Sequence, residues 1–465
     1  MSQFTALDKY FSEKRETHLD ELKQFLRIPS ISSLSEHKDD MQKGASWLEE
    51  SLKTAGLENV TVDKTNGHPV VYADWLHAEG KPTMLIYGHY DVQPVDPLNL
   101  WETEPFEPQI RDNKLYARGA SDDKGQVFMH VKAVEALLQT EGSLPVNVKF
   151  LIEGEEEVGS PNLEAYIEEN KEKLAADVIV ISDTGMQGPG QPAVCYGLRG
   201  LCGVQIDVKG AKGDLHSGLY GGGVQNSIHA LVSILDSFRD AEGTIQVEGF
   251  YENVRPLLDE EREAYKALGF DEEELKKEVG VDELFGEKGY SHLERVWVRP
   301  TLEINGVFGG FSGEGIKTVL PSEAGAKITC RLVPDQDPDE IVAKLKAHIE
   351  KNKPAGITVT VTEFDKGKPF ITPFDHPAIQ AAGRSYEKVY NVPTAYTRGG
   401  GSIPIVAAFD EILGLPVVLM GFGLSTENFH APNEHFHLEN FDQGLRVIGD
   451  YYHELADFSK EQLKK

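Results

Sequence analysis

Three apolar runs in this chain each stop abruptly at residues that carry chemistry, and that pattern restricts the fold more than any other feature. Thr83 to Tyr87 reads as a short buried strand, with Gly88 turning the backbone out of it and His89 and Asp91 following in the loop. Val146 to Ile152 alternates Val146, Val148, Phe150 and Ile152, then runs into Glu153-Gly154-Glu155-Glu156-Glu157-Val158-Gly159-Ser160. Val178 to Ser182 is a third apolar strand, and Asp183 stands at its end. Between the first two runs, Asp122 and Asp123 precede a helix expected from about Gln126 to Gln139. Strands alternating with helices in this way predict an α/β domain with a mostly parallel central sheet. Sheets of that kind hold their ligands beyond the carboxyl ends of the strands.

Taken singly, each motif has an ordinary reading. His89 can be a loop histidine with Asp91 capping the next turn. Asp122 and Asp123 can be an acidic helix cap, and the glutamate run a solvated face. Taken together they place a histidine and four carboxylates, Asp122, Glu156, Glu157 and Asp183, at one sheet edge. Carboxylates gathered there repel each other unless a cation neutralises them. A second histidine, His430, follows another strand, Leu415 to Met420. A mixed shell of imidazole and carboxylate suits zinc, manganese or cobalt. Asp91 is placed to hold the second ring nitrogen of His89.

Composition narrows the partners. The 465 residues carry 76 Asp plus Glu against 46 Lys plus Arg, a net charge of -30. That excludes a nucleic-acid backbone or an anionic membrane surface as the natural partner. Cys195, Cys202 and Cys330 are odd in number and show no C-x-x-C pairing, so structural thiols in a reducing, cytoplasmic setting are expected. The first thirty residues hold no signal-peptide pattern, and no stretch reaches the eighteen or so apolar residues of a membrane span.

Along the chain, helices are expected from Thr17 to Arg27 and from Asp40 to Ala55, and short strands at Val60 to Val62 and Val70 to Tyr72. The pattern changes near Gly197. Strand, helix, strand, strand, helix, strand then follow to about Thr362, interrupted by an acidic helical insertion from Glu248 to Glu294. This is the split βαβ order of a ferredoxin-like α+β domain. The expected division is a catalytic domain in two parts, 1–197 and 372–465, with residues 198–371 inserted as a lid and dimerisation domain.

Several stretches carry a family resemblance: Gly88 to Val92, Gly119 to Gly125, Glu155 to Ser160, Ser182-Asp183, Asp214-Leu215-His216-Ser217-Gly218, Arg331 to Pro334, Gly400 to Pro404 and His430 to Glu434. Their order and spread resemble the co-catalytic metallopeptidase family of cytosolic non-specific dipeptidase, carnosine dipeptidase, acetylornithine deacetylase and glutamate carboxypeptidase. The dipeptidase branch matches best. The resemblance implies two divalent metal ions per subunit, zinc first, with manganese or cobalt as alternatives. Asp122 is then the bridging ligand, His89 and Asp183 complete one metal site, and Glu157 and His430 the other. Glu156 is implied as general base, although spacing alone leaves Glu155 as a competitor. His216 is implied to reach a partner subunit's site in a homodimer. Arg331, Thr318, Gly401 and Ser402 are implied to bind the terminal carboxylate of a small peptide.

Two positions depart from the animal dipeptidases: Gly399 stands where they carry Glu, and Asp365 where they carry His. Three readings follow. The first is a metal-dependent dipeptidase. The second is an N-acyl-amino-acid deacylase or carboxypeptidase-like amidohydrolase with the same metal site. The third is a non-catalytic metal-dependent binding protein.

Overall fold

A computed structural model describes residues 3–400 and 404–464 of the chain. Contacts divide it into two compact units: Met1–Tyr196 with Thr372–Thr397 and Pro404–Lys465, and Gly197–Ile371 with Arg398–Ile403.

The first unit is a mixed sheet covered by helices. It begins with α1 (Gln3–Leu26) and α2 (Lys38–Thr54), then β1 (Glu58–Asp63), β2 (Val70–Trp75) and β3 (Thr83–His89). Helix α3 (Lys124–Glu141) leads to β4 (Asn147–Glu153), β5 (Val178–Ile181) and β6 (Ala193–Leu198), and β7 (Val417–Leu419) comes from the far end of the chain. The strands lie in the order β1-β2-β4-β3-β5-β7-β6. The central pairs β3–β4, β3–β5 and β5–β7 are parallel, so their carboxyl ends share one edge. Every residue of β4 and β5 is buried, and β5 is accordingly apolar throughout. Helix α3 presses on that sheet with Val127, Phe128, Val131, Val134 and Leu137 buried, each of them stabilising the layer by about 1.5–3 kcal/mol.

Three expectations are corrected. His89 is not in a loop: β3 continues to it, in register with Glu153 of β4. Gly88 marks close packing rather than a turn, since a Cβ there would lie 2.7 Å from Asp123 Oδ2 and 2.8 Å from Val127 Cγ2. Helix α1 begins well before Thr17, because Leu7 and Phe11 are buried on the same side as Leu19 and Leu22. The polar stretch Ser12 to Thr17 hides that continuity from a periodicity reading.

The second unit is a four-stranded antiparallel sheet, ordered Thr301–Gly309, Glu323–Leu332, Gly200–Lys209, Thr358–Gly367. Helices Ser227–Asp236 and Pro338–Asn352 pack Leu231, Ile234, Ile341 and Leu345 onto Val204, Ile206 and Ile328. That order and connectivity are ferredoxin-like. The acidic insertion forms three short helices, Asp259–Ala267, Glu272–Val279 and His292–Trp297. All three cysteines are buried. No helix among the described residues is long and apolar enough to cross a membrane.

Candidate active site

The parallel strand ends deliver the acidic residues to one place in the first unit. His89 closes β3 and is fully buried. Its Nδ1 lies 3.1 Å from the Asp91 carbonyl oxygen and 3.3 Å from Asp91 Oδ1. Both are acceptors, so Nδ1 carries the proton and Nε2 presents a lone pair. Nε2 is buried, with no hydrogen-bond partner among the described residues. Around it stand Asp122 Oδ1 at 3.2 Å and Asp183 Oδ2 at 3.7 Å. The other oxygen of Asp122 lies 2.9 Å from His430 Nε2, which is 3.2 Å from Glu157 Oε2. Two sets of donor atoms result, His89-Asp122-Asp183 and Asp122-Glu157-His430, each lying within 4.8 Å of one another. Asp122 belongs to both, one oxygen to each.

This donor chemistry fits a pair of divalent cations. Burial and the neighbouring Asp122 hold the Asp183 carboxyl well above its ordinary range. Burial opposes a charge on His89, yet Asp122 and Asp91 hold the ring well above its ordinary value. Hydrogen bonds to Asp122 and Glu157 push His430 up to about 10. A cluster that draws protons onto its ligands in this way binds cations in competition with protons.

Glu156 and Glu155, left open by spacing, face different ways. Glu156 Oε2 lies 3.9 Å from His89 Nε2. Burial, then Glu157, Asp122 and Asp91 acting against His89, raise its carboxyl to about 7. Glu155 instead accepts a hydrogen bond from Asn162 Nδ2 at 2.8 Å and fills the space over Gly67. Glu155 precedes, and Glu156 opens, a tight 3-10 turn, Glu156–Val158, ended by Gly159 at φ 86°. Asp91 fixes that turn, its Oδ1 accepting the Glu156 N–H at 3.2 Å and its Oδ2 the Glu157 N–H at 3.1 Å. One carboxylate thus orients both His89 and the two glutamates. Asp123 is the first residue before α3 but makes no side-chain cap. Its Oδ2 accepts the His89 N–H at 3.1 Å.

Sequence reasoning missed the groups that hold this cluster in place. Glu434, fully buried, accepts hydrogen bonds from Arg118, Gly119, Ser121 and Asp122. Glu427 accepts from Ser121 Oγ at 2.5 Å and contacts His437 Nδ1 at 2.6 Å. Gln93 Nε2 donates to Glu157 Oε2 at 2.7 Å. Only the Gly-rich approach to Asp122 and the acid four residues after His430 hinted at them.

The remaining expected residues belong to the second unit. His216 and Thr318 come together there, with the Ser217 N–H donating to the Thr318 carbonyl at 3.1 Å and His216 paired with Val319. His216 is exposed. Its Nδ1 accepts the Gly218 N–H at 3.0 Å, which leaves the proton on Nε2 as a donor. Arg331, half-buried, stands on strand Glu323–Leu332 opposite Leu201 and Thr301. A second guanidinium, Arg199, lies close enough that burial and Arg331 together lower it to about 10. Gly401 and Ser402 lie outside the described residues.

Residues 85–454 match the peptidase family M20/M25/M40. The chain belongs to this family. It is 32% identical to Cys-Gly metallodipeptidase dug1 of Schizosaccharomyces pombe, over 98% of this chain and 99% of that one. It is 35% identical to the Beta-Ala-His dipeptidase of Homo sapiens, over 83% of this chain and 78% of that one. Among solved structures, the dipeptidase Dug1p of Saccharomyces cerevisiae aligns with a TM-score of 0.75 at 30% identity, covering 98% of this chain and all of that one. The M20 family metallo-carboxypeptidase Sso-CP2 of Sulfolobus solfataricus aligns with a TM-score of 0.79 at 36% identity, covering 95% of this chain and 99% of that one. Family and site chemistry together make this M20 chain a metal-dependent hydrolase of small peptides.

Proposed function

We propose that this M20 peptidase hydrolyses the peptide bond of unsubstituted dipeptides, using two divalent cations held by His89, Asp122, Glu157, Asp183 and His430. The observation that carries the reading is Asp122, whose two oxygens face two separate His/carboxylate sets. Paired cations in such a shell lower the pKa of water and polarise a carbonyl. Zinc is the expected occupant, and manganese or cobalt would fit the same donors. Glu156 removes a proton from the attacking water and passes it to the leaving nitrogen as the C–N bond breaks. Asp91 keeps His89 in the tautomer that presents Nε2. The Nε2–H of His216 donates to the oxyanion that forms at the carbonyl. Arg331, with Thr318 and the Gly401-Ser402 segment, receives the substrate's terminal carboxylate, which suits a planar guanidinium.

We assign the working form as a homodimer in the cytosol. The edge strand Thr301–Gly309 exposes Ile304, Val307 and Phe308 by 45%, 59% and 46%, a pattern that an unpartnered edge rarely keeps. His216 is then supplied to the partner's site. Mixing the inactive variants Glu156→Gln and His216→Ala under conditions of subunit exchange restores turnover if His216 acts in trans. An unchanged, inactive mixture would refute that role.

A carboxypeptidase-like reading also has support, from the identity to Sso-CP2 and from Gly399 in place of an acid. A panel of Cys-Gly, β-Ala-His, Ala-Ala, N-acetylated Ala-Ala and a tripeptide separates the two. Cleavage confined to the free dipeptides is expected, and preference for the blocked or longer compound replaces the dipeptidase reading. Arg331→Ala is expected to raise KM for dipeptides by roughly 10- to 100-fold with a smaller change in kcat. Unaltered KM would remove Arg331 from the substrate site.

A further inference from the structure

The five candidate ligands are not held equally. His89 and Asp183 sit at the ends of central strands, where the sheet fixes them. His430 lies on an irregular loop with three left-handed residues, Asn428, His430 and Asn433, at φ of 58°, 58° and 62°. Its side chain is 55% exposed. The nearest strand, His435–His437, begins five residues further on and pairs with Lys114–Tyr116. Glu427 ties the loop's start to Ser121 Oγ, and Glu434, four residues after His430, bonds the backbone at Ser121 and Asp122.

Glu434 is surrounded by donors. Its Oε1 accepts the N–H groups of Ser121 and Asp122, both at 3.1 Å. Its Oε2 accepts Gly119 N–H at 3.0 Å and Arg118 Nη1 at 2.8 Å. Four donors fill the lone-pair positions of a carboxylate, which is how a fully buried charge is kept. Arg118 carries the connection onward, its Nη2 donating to the Pro94 carbonyl at 3.0 Å. Pro94 adjoins Gln93, whose amide holds Glu157 Oε2. Hydrogen bonds, with one backbone step from Pro94 to Gln93, therefore connect the His430 loop through Glu434 and Arg118 to Glu157, with Asp122 attached by its backbone. This network bonds Asp122 and Glu157 of one donor set and reaches the third, His430, through the backbone between His430 and Glu434. On the other set it bears only through the shared Asp122.

We infer that Glu434 is a positioning residue that sets the geometry of the Asp122-Glu157-His430 cation site selectively, leaving the His89-Asp122-Asp183 site largely to the sheet. The inference rests on the two-cation reading given above. Glutamine at 434 keeps the volume but turns one acceptor into a donor facing N–H groups, so the His430 loop loses its register on Asp122.

The test is cobalt(II) titration of the metal-free protein, followed by d–d absorption and by equilibrium dialysis, for the parent chain, Glu434→Gln, Arg118→Lys and His430→Ala. The parent is expected to take two equivalents, and His430→Ala to mark the loss of one site. Glu434→Gln should weaken one equivalent by roughly 10- to 100-fold, the usual range for a group that orients ligands, and leave the other unchanged. Arg118→Lys keeps a charge beside Glu434 but shortens the reach to Pro94, and should weaken the same equivalent by less. It serves as the second variant if Glu434→Gln does not fold. A parent chain that binds fewer than two equivalents defeats the two-cation reading itself. Two equivalents in the parent with both weakened alike in the variants, or neither, overturns the positioning role.

Discussion

Replacing Glu156 by Gln is expected to lower kcat by roughly 10³-fold, within the range of about 10² to 10⁴ for a lost general base, while both cations stay bound. A 10³-fold loss corresponds to about 4 kcal/mol of transition-state stabilisation. The reason lies in the separation of tasks around the turn that Asp91 holds. Glu157 contacts His430, Glu155 is turned to Asn162, and Glu156 alone of the three faces His89. Glutamine keeps the size and the Asp91 bond to the backbone N–H but cannot accept a proton. Metal content by elemental analysis and kcat on Ala-Ala check the two halves. Full turnover with two cations bound would remove Glu156 as base. The pH profile gives a second check. A base works deprotonated, so kcat/KM falls as pH drops through its pKa. Burial with Glu157 and Asp122 raises that carboxyl to about 7, and neighbouring cations pull it down. The acidic limb is therefore expected at or below pH 7 and should be missing from the residual activity of Glu156→Gln.

Asp122→Ala is expected to be more damaging still. Both donor sets lose a member at once, so neither keeps three ligands. Turnover should fall below that of Glu156→Gln, by more than roughly 10⁴-fold, and added zinc, manganese or cobalt should not restore it. The fold should survive, because Glu434 holds residue 122 through its backbone N–H rather than its side chain. Circular dichroism should match the parent, with less than one cation per chain by elemental analysis. Two tightly bound cations in this variant would show that the bridging assignment is mistaken.

Much of this arrangement was legible because it is local. An apolar run that ends in His, Glu or Asp announces both a buried strand and its ligand edge, so β3, β4 and β5 and the residues after them could be read from the chain. The ferredoxin-like order of the second unit followed from periodicity in the same way. What escaped was decided by distant partners. Gly88 looked like a turn and is instead a close approach to Val127, which only the docking of α3 makes necessary. The three-residue strand His435–His437 has no signal of its own and exists because it pairs with Lys114–Tyr116. Glu434 was visible as part of a motif, but its donors come from residues more than 300 positions earlier. The Glu155 and Glu156 choice depended on Asn162 and Gly67, which no spacing rule connects.

The place of β7 in the sheet has a consequence for the newly made protein. It lies between β5 and β6 yet comes from residues 417–419, after the whole second unit. The residues that follow it bring His430 and Glu434. A growing chain on the ribosome therefore carries a gapped sheet and an incomplete set of donors until residues 417–434 have emerged. A fragment that stops before residue 430 lacks both His430 and Glu434, and with them one member of the Asp122-Glu157-His430 donor set.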